Sequence, residues 1–199
     1  MLGIDIGADE KMISKDENRS WDFGKLIVLA IFSVYFLNIA FCYTDNWSFI
    51  DNVNIWVHEA GHFIFMFFGN DFLYIAGGTI MQLLMPAIFI GYFYHTNQKF
   101  SAALTFFWLG ENFISVSVYM ADAVDMVLPL IGGGGTEGHD WHNMFTILGI
   151  LPYTEILAGA TRTLGVFIMF FAIGWGIKYS RKTKMAPEMI INGRKYGNF

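Results

Sequence analysis

Residues 58–62 read His-Glu-Ala-Gly-His. Positions i and i+4 of a helix share one face, so His58 and His62 can reach the same metal ion. Glu59 lies one residue round from His58, close enough to touch a metal-bound water without being a ligand. The H-E-x-x-H pattern is that of helical zinc sites whose glutamate acts as general base. With 5 His in 199 residues, chance yields it at roughly 0.4%, so composition alone does not account for it. The competing account is a helix whose His and Glu satisfy one another at a bundle interface. The apolar surroundings count against it, because ionisable groups in lipid are functional by default.

A catalytic zinc site needs a third protein ligand and an open fourth position. The run Gly138-His139-Asp140-Trp141-His142 offers donors. His139 is the expected third ligand, with Asp140 as an orienting carboxylate or substitute ligand. His142, Asp122 and Asp125 are further candidates. The plain alternatives are a solvated polar loop for the histidines and a helix end meeting water for the two aspartates. Glu111, Ser115, Tyr119 and Asp122 recur at helical spacing as a polar stripe, which must face a bundle interior or a water-filled cavity. It could lead water to the metal or act as interhelical glue. Arg162 is a buried charge whose simplest account is an ion pair with Glu155 or Glu111. Gln82 is placed to satisfy backbone freed by Pro86. Gly77-Gly78 and Gly159 permit close helix approach. His95, beside Lys99, is read as interfacial.

The elements that must position these groups are membrane helices. The chain is 55% hydrophobic and 15% charged with net charge −5, against about 25% charged in soluble domains. Of 12 Lys and Arg, only Lys99 and Arg162 fall within residues 26–177. Apolar runs at Leu26–Tyr43, Phe72–Tyr94, Ala102–Ala121 and Tyr153–Ile177 match bilayer thickness, with Trp21 and Trp47 as interface aromatics. Val53–Gly69 is about one span long but holds His58, Glu59 and His62. Met144–Leu151 reads as a short helix ending near Pro152, after a loop with the glycine run Gly132–Gly135.

Basic residues give orientation. The tail after Ile177 carries Lys178, Arg181, Lys182, Lys184, Arg194 and Lys195 against Glu188 and is expected in the cytoplasm. Lys11, Lys15, Arg19 and Lys25 favour the same side, as Lys99 does for its turn. Five full spans cannot leave both ends on one side. Either Val53–Gly69 dips in from the outer face without crossing, or the N-terminus lies outside. The first solution puts His58, six residues past Asn52 or about 9 Å along a helix, on the same face as the 122–152 loop.

Several classes fall away. A nucleic-acid partner would require a basic stripe, and only the tails are basic. One cysteine, Cys42, forbids an intrachain disulfide or a cysteine zinc cluster. Five histidines are too few for a di-iron membrane desaturase. Residues 1–24 do not read as a cleavable signal peptide. The glycine run is not followed by Lys-Ser or Lys-Thr, so there is no P-loop.

The run His58–Gly69, with Gly77-Gly78, Gln82–Pro86, Trp108–Asn112, Tyr119–Ala123 and Gly138–Trp141, resembles the site-2 protease family of intramembrane zinc metallopeptidases, and small bacterial membrane proteins classed with them. The likeness spans roughly residues 56–165. It implies His58 and His62 as zinc ligands, Glu59 as general base and a later carboxylate or histidine completing the site. The family's Leu-Asp-Gly motif does not occur here; Met120-Ala121-Asp122-Ala123 or Gly138-His139-Asp140 must stand in for it.

The expectation is an all-α polytopic membrane bundle of four spans plus an embedded helix bearing the motif. It has a polar N-terminal tail (1–24), one membrane domain (25–177) and a basic tail (178–199). The implied function is zinc-dependent hydrolysis, most naturally of peptide bonds in or beside a bacterial cytoplasmic membrane. Membrane lipids, a membrane-protein or peptide substrate and a larger membrane assembly are the partners that fit. The rivals are a non-catalytic integral subunit with a structural metal or polar cluster, and a transporter using the Glu111–Asp122 stripe as an ion path.

Overall fold

Among the described residues, long apolar stretches broken by short polar segments resolve into six α-helices. The computed structural model describes residues 20–42, 48–130, 135–182, 189–191 and 194–196. The helices are α1 (Phe23–Cys42), α2 (Asp51–Phe65), α3 (Asp71–His95), α4 (Lys99–Ala121), α5 (Asp140–Leu148) and α6 (Thr154–Tyr179). A small antiparallel hairpin, β1 (Met189–Ile191) and β2 (Arg194–Tyr196), lies in the C-terminal tail. Trp47, Lys11, Lys15, Arg19, Lys184 and Gly132–Gly134, singled out above, fall outside the described residues.

Among the described residues, three segments are long and apolar enough to cross a membrane: Phe23–Cys42, Asp71–His95 and Leu151–Tyr179. Their outward faces carry exposed Ile31, Val34, Ile88, Tyr92, Ile156 and Phe167. So much apolar surface is untenable in water and consistent with a membrane protein. Helix α4 is 23 residues long, but Glu111, Asn112, Ser115 and Ser117 make it less apolar than these three. It is the central helix. Phe107 and Ile114 are fully buried with Leu29, Phe36 and Ile39 of α1 and Met169 and Ala172 of α6. A second cluster joins Val116, Met120 and Ala123 to Phe145 and Ala158.

Helix α2 has 15 residues, about 22 Å of rise and so shorter than a bilayer core. It ends in a 3₁₀ turn, Met66–Phe68, and Gly69 at φ 62°, a left-handed conformation that glycine adopts without a Cβ clash. Asn70 then accepts a hydrogen bond from the Leu73 N–H and starts α3. Helix α3 runs unbroken through Gly77-Gly78 and the fully buried Pro86.

Glycine sets the closest helix approaches. A Cβ on Gly165 would lie 2.7 Å from the Gly110 carbonyl oxygen, and one on Gly110 would lie 2.9 Å from the Gly165 carbonyl, so α4 and α6 meet backbone to backbone. Gly159, expected to serve close packing, faces open space.

Arg162 makes no ion pair among the described residues and is only half-buried. Its Nη2 donates to the Ala40 carbonyl at 2.6 Å, one of the carbonyls left free in the last turn of α1. The expected pairing with Glu155 or Glu111 is therefore replaced by a cation capping a helix C-terminus.

Replacing Gly165 by Leu should overpack the α4–α6 contact by about 1–3 kcal/mol. It should lower the thermal unfolding midpoint in detergent, while Gly159→Leu should leave that midpoint unchanged within error.

Candidate metal centre

The motif helix is fixed at its start and along one side. Asp51 Oδ2 accepts from the Ser48 N–H (2.7 Å) and hydroxyl (2.6 Å). Further along, the buried Asn54 donates to Glu111 Oε2 (2.8 Å) and accepts from Trp108 Nε1 (2.8 Å), which pins α2 to α4.

On its other side α2 packs against α3 through glycine. A Cβ on Gly61 would meet the Gly77 carbonyl and Met81, and a Cβ on Gly78 would strike both the His58 and His62 rings. The imidazoles fill the space that Gly78 leaves open. Their rings stand 4.8 Å apart, nearly perpendicular.

Both rings are oriented from behind. His58 Nδ1 donates to Gln82 Oε1 at 3.1 Å, and His62 Nδ1 donates to the Tyr74 carbonyl at 2.8 Å. These acceptors leave each Nε2 as the outward donor atom, the arrangement usual behind metal-binding histidines. Both Nε2 atoms face one oxygen, Asp140 Oδ2, at 2.9 Å from His58 and 3.2 Å from His62. The candidate donor atoms of His58, His62 and Asp140 lie within 4.8 Å of one another.

Asp140 arrives on α5. His139 is its N-cap, Nδ1 accepting from the His142 N–H at 3.2 Å. The Asp140 N–H donates to the Tyr119 hydroxyl at 3.0 Å. The Tyr119 ring lies against His139, centroids 4.5 Å apart, and 6.1 Å from that of His58. Burial opposes charge on Asp140, but hydrogen bonds with His58 and His62 outweigh it and hold the carboxyl below its ordinary range.

The expected third ligand is thus displaced by one residue. His139 is fully buried, and its Nε2 lies 3.2 Å from Asp122 Oδ2 rather than beside the histidine pair. Both its nitrogens are engaged in holding the loop. Burial lowers its pKa, against the opposing pull of Asp122. Asp122 also accepts from the Val127 and Leu128 N–H groups at 2.9 and 3.0 Å, which makes it a loop brace. His142 Nδ1 donates to the Ala123 carbonyl at 2.8 Å. Asp125 is exposed.

The polar stripe of α4 divides. Glu111 is fully buried against α2, Tyr119 reaches Asp140, and Ser115 is half-buried between them. Glu59 is exposed and, among the described residues, makes no hydrogen bond or ion pair, although its charge is felt at His62 and Tyr119. Gln82 was read from the sequence as a partner for backbone near Pro86. No sequence signal marks its actual role, because the contact of Gly78, one helical turn away, with the motif histidines exists only in the packed fold.

The donor set fits a transition-metal dication. Each imidazole is turned so that Nδ1 meets an oxygen behind it and Nε2 faces the carboxylate. A dication lets two neutral imidazoles and a carboxylate all act as acceptors, so His58, His62 and Asp140 could hold a metal ion.

Alanine at His58, His62 or Asp140 should abolish stoichiometric metal in detergent-purified protein, measured by elemental analysis. His139→Ala should retain the metal with affinity about 10–100-fold weaker, because it supports Asp140 without ligating. Gly78→Val adds and removes no donor, yet should abolish binding by driving the two rings apart. Comparison of the chain with models of protein families, with curated proteins and with solved structures finds no match.

Proposed function

We propose that this chain is a zinc-dependent membrane hydrolase acting on peptide bonds in or beside the lipid bilayer. In this reading α4 is a fourth crossing and α2 is an embedded helix that does not cross. The observation that carries it is the convergence of two oriented imidazole Nε2 atoms on Asp140 Oδ2, with an unengaged carboxylate, Glu59, on the same helix turn.

Zinc bound by His58, His62 and Asp140 would polarise a carbonyl and make a water molecule acidic enough to attack near neutral pH. The remaining work falls to the chain. Glu59, one residue beyond His58, would take the proton from the attacking water and return it to the leaving amine. Its freedom from structural hydrogen bonds keeps its lone pairs for that exchange. Tyr119 holds the backbone of Asp140 and so the carboxylate's aim. Gln82 and the Tyr74 carbonyl keep the imidazoles in one tautomer, which removes reorganisation from the reaction. The short α2 helix fits a site to which a locally unwound peptide must come, since a peptide bond in lipid is otherwise shielded by helical hydrogen bonds.

Glu59→Gln discriminates this reading from a structural metal. In proteoliposomes offered membrane-spanning peptides, with products read by mass spectrometry, cleavage should fall by about 10²–10⁴-fold while zinc content is unchanged. Hydrolysis that survives the substitution, or that is absent from zinc-loaded wild type, would overturn the proposal. Tyr119→Phe removes the acceptor of the Asp140 N–H and should weaken zinc affinity rather than turnover at saturating zinc.

A further inference from the structure

The chain has 12 Lys and Arg, and five of them, Lys25, Lys99, Lys178, Arg181 and Lys182, line a single cleft of about 560 Å³. They come from three separate places in the sequence. Lys25 is in the first turn of α1, Lys99 opens α4, and the other three lie at or just beyond the end of α6. The fold holds these ends together by backbone. The Asp22 N–H donates to the Ser180 carbonyl at 2.8 Å and the Lys182 N–H to the Ser20 carbonyl at 2.9 Å, so the entry to α1 and the exit from α6 form a short bridge. Lys25 Nζ reaches the Tyr179 carbonyl at 3.5 Å. The α3–α4 turn is tightened by Asn97 at φ 60°, which brings Lys99 to the same cleft.

Among the described residues no carboxylate lines the cleft, and none of the five cations is within ion-pair distance of an acid. The nearby Asp22 carboxylate instead accepts from the Lys25 backbone N–H at 3.2 Å. Aromatic rings orient some of the charges: Lys99 Nζ sits 3.8 Å above Tyr94 and the Arg181 guanidinium 4.9 Å above Trp21. Lys25 and Lys99 are half-buried, so their mutual repulsion is less screened than on an open surface. Five like charges gathered in one concavity call for an anion of matching size and charge.

We propose that this cleft binds the phosphate of an anionic phospholipid headgroup. The cleft lies at the ends of α1 and α6, two of the helices apolar enough to span a membrane. Trp21, Tyr94, Trp175 and Tyr179 cluster about that end, as aromatic residues do at headgroup depth. A basic pocket between helix ends at this level is how membrane proteins select anionic lipids over zwitterionic ones. Along α4 the cleft is about 30 Å from the His–Asp cluster, so headgroup binding there is independent of the metal centre.

The test uses the full chain in bilayers of phosphatidylcholine containing spin-labelled phosphatidylglycerol. The measured quantity is the association of labelled lipid with the protein. Wild type should prefer phosphatidylglycerol to labelled phosphatidylcholine. The preference should fall about five-fold for each cation removed, in Lys25→Gln/Lys99→Gln and separately in Lys178→Gln, whose exposed side chain carries little folding risk. Arg194→Gln/Lys195→Gln removes the same charge from the distal tail and should change nothing. Equal losses in the tail variant, or no loss in the cleft variants, would show only general attraction of basic residues to the surface and would overturn the site. Saturation by inorganic phosphate in protein that shows no lipid preference would assign the cleft to free phosphate and overturn the lipid reading.

Discussion

One carboxylate oxygen holds the candidate centre together. Asp140 Oδ2 faces the Nε2 atoms of both His58 and His62, and through that contact α5 is joined to the motif helix. Everything else near the site bears on whether those three side chains can meet. The glycines of α3 let two rings enter where a methyl group would collide. Gln82 and Tyr74 fix which nitrogen faces outward. Tyr119 and His139 hold the start of α5. A buried carboxylate is tolerated only where opposing charge or donors compensate it, which a cation held together with the two imidazoles would supply.

The molecule separates its polar work into two ends of one central helix. At the C-terminal end of α4, Tyr119 and Asp122 serve the histidine and aspartate network. At the N-terminal end, Lys99 joins the basic cleft. Between them, Phe107, Gly110 and Ile114 pack against α1 and α6. Glu111 and Asn112 interrupt that interior, and Glu111 reaches across to Asn54. Helix α4 is less apolar than its neighbours because one face must supply these contacts while the other packs.

Much of this was legible in the primary structure because the governing signals are local. The i, i+4 spacing dictates that His58 and His62 share a face, and the long uncharged runs dictate helices of membrane length. Helix boundaries fell within a few residues of the apolar runs, since Gly69, Asn70 and Gly149 are local stop and start signals. The polar stripe of α4 is likewise visible from its period, as residues that must face a bundle interior or a water-filled cavity.

What the order of residues could not determine was which partner each polar group meets. His139 and Asp140 are adjacent, and residues so placed at a helix start point in different directions. The capping geometry of α5 turned His139 toward Asp122 and Asp140 toward the histidines. Arg162 finds a carbonyl at the end of α1 because the tertiary packing brings an unpaired acceptor there. Gly165 and Gly159 are chemically alike, yet only the former faces a neighbouring backbone. Spacing along a chain specifies which side chains share a face; the packing of separate helices specifies what that face touches.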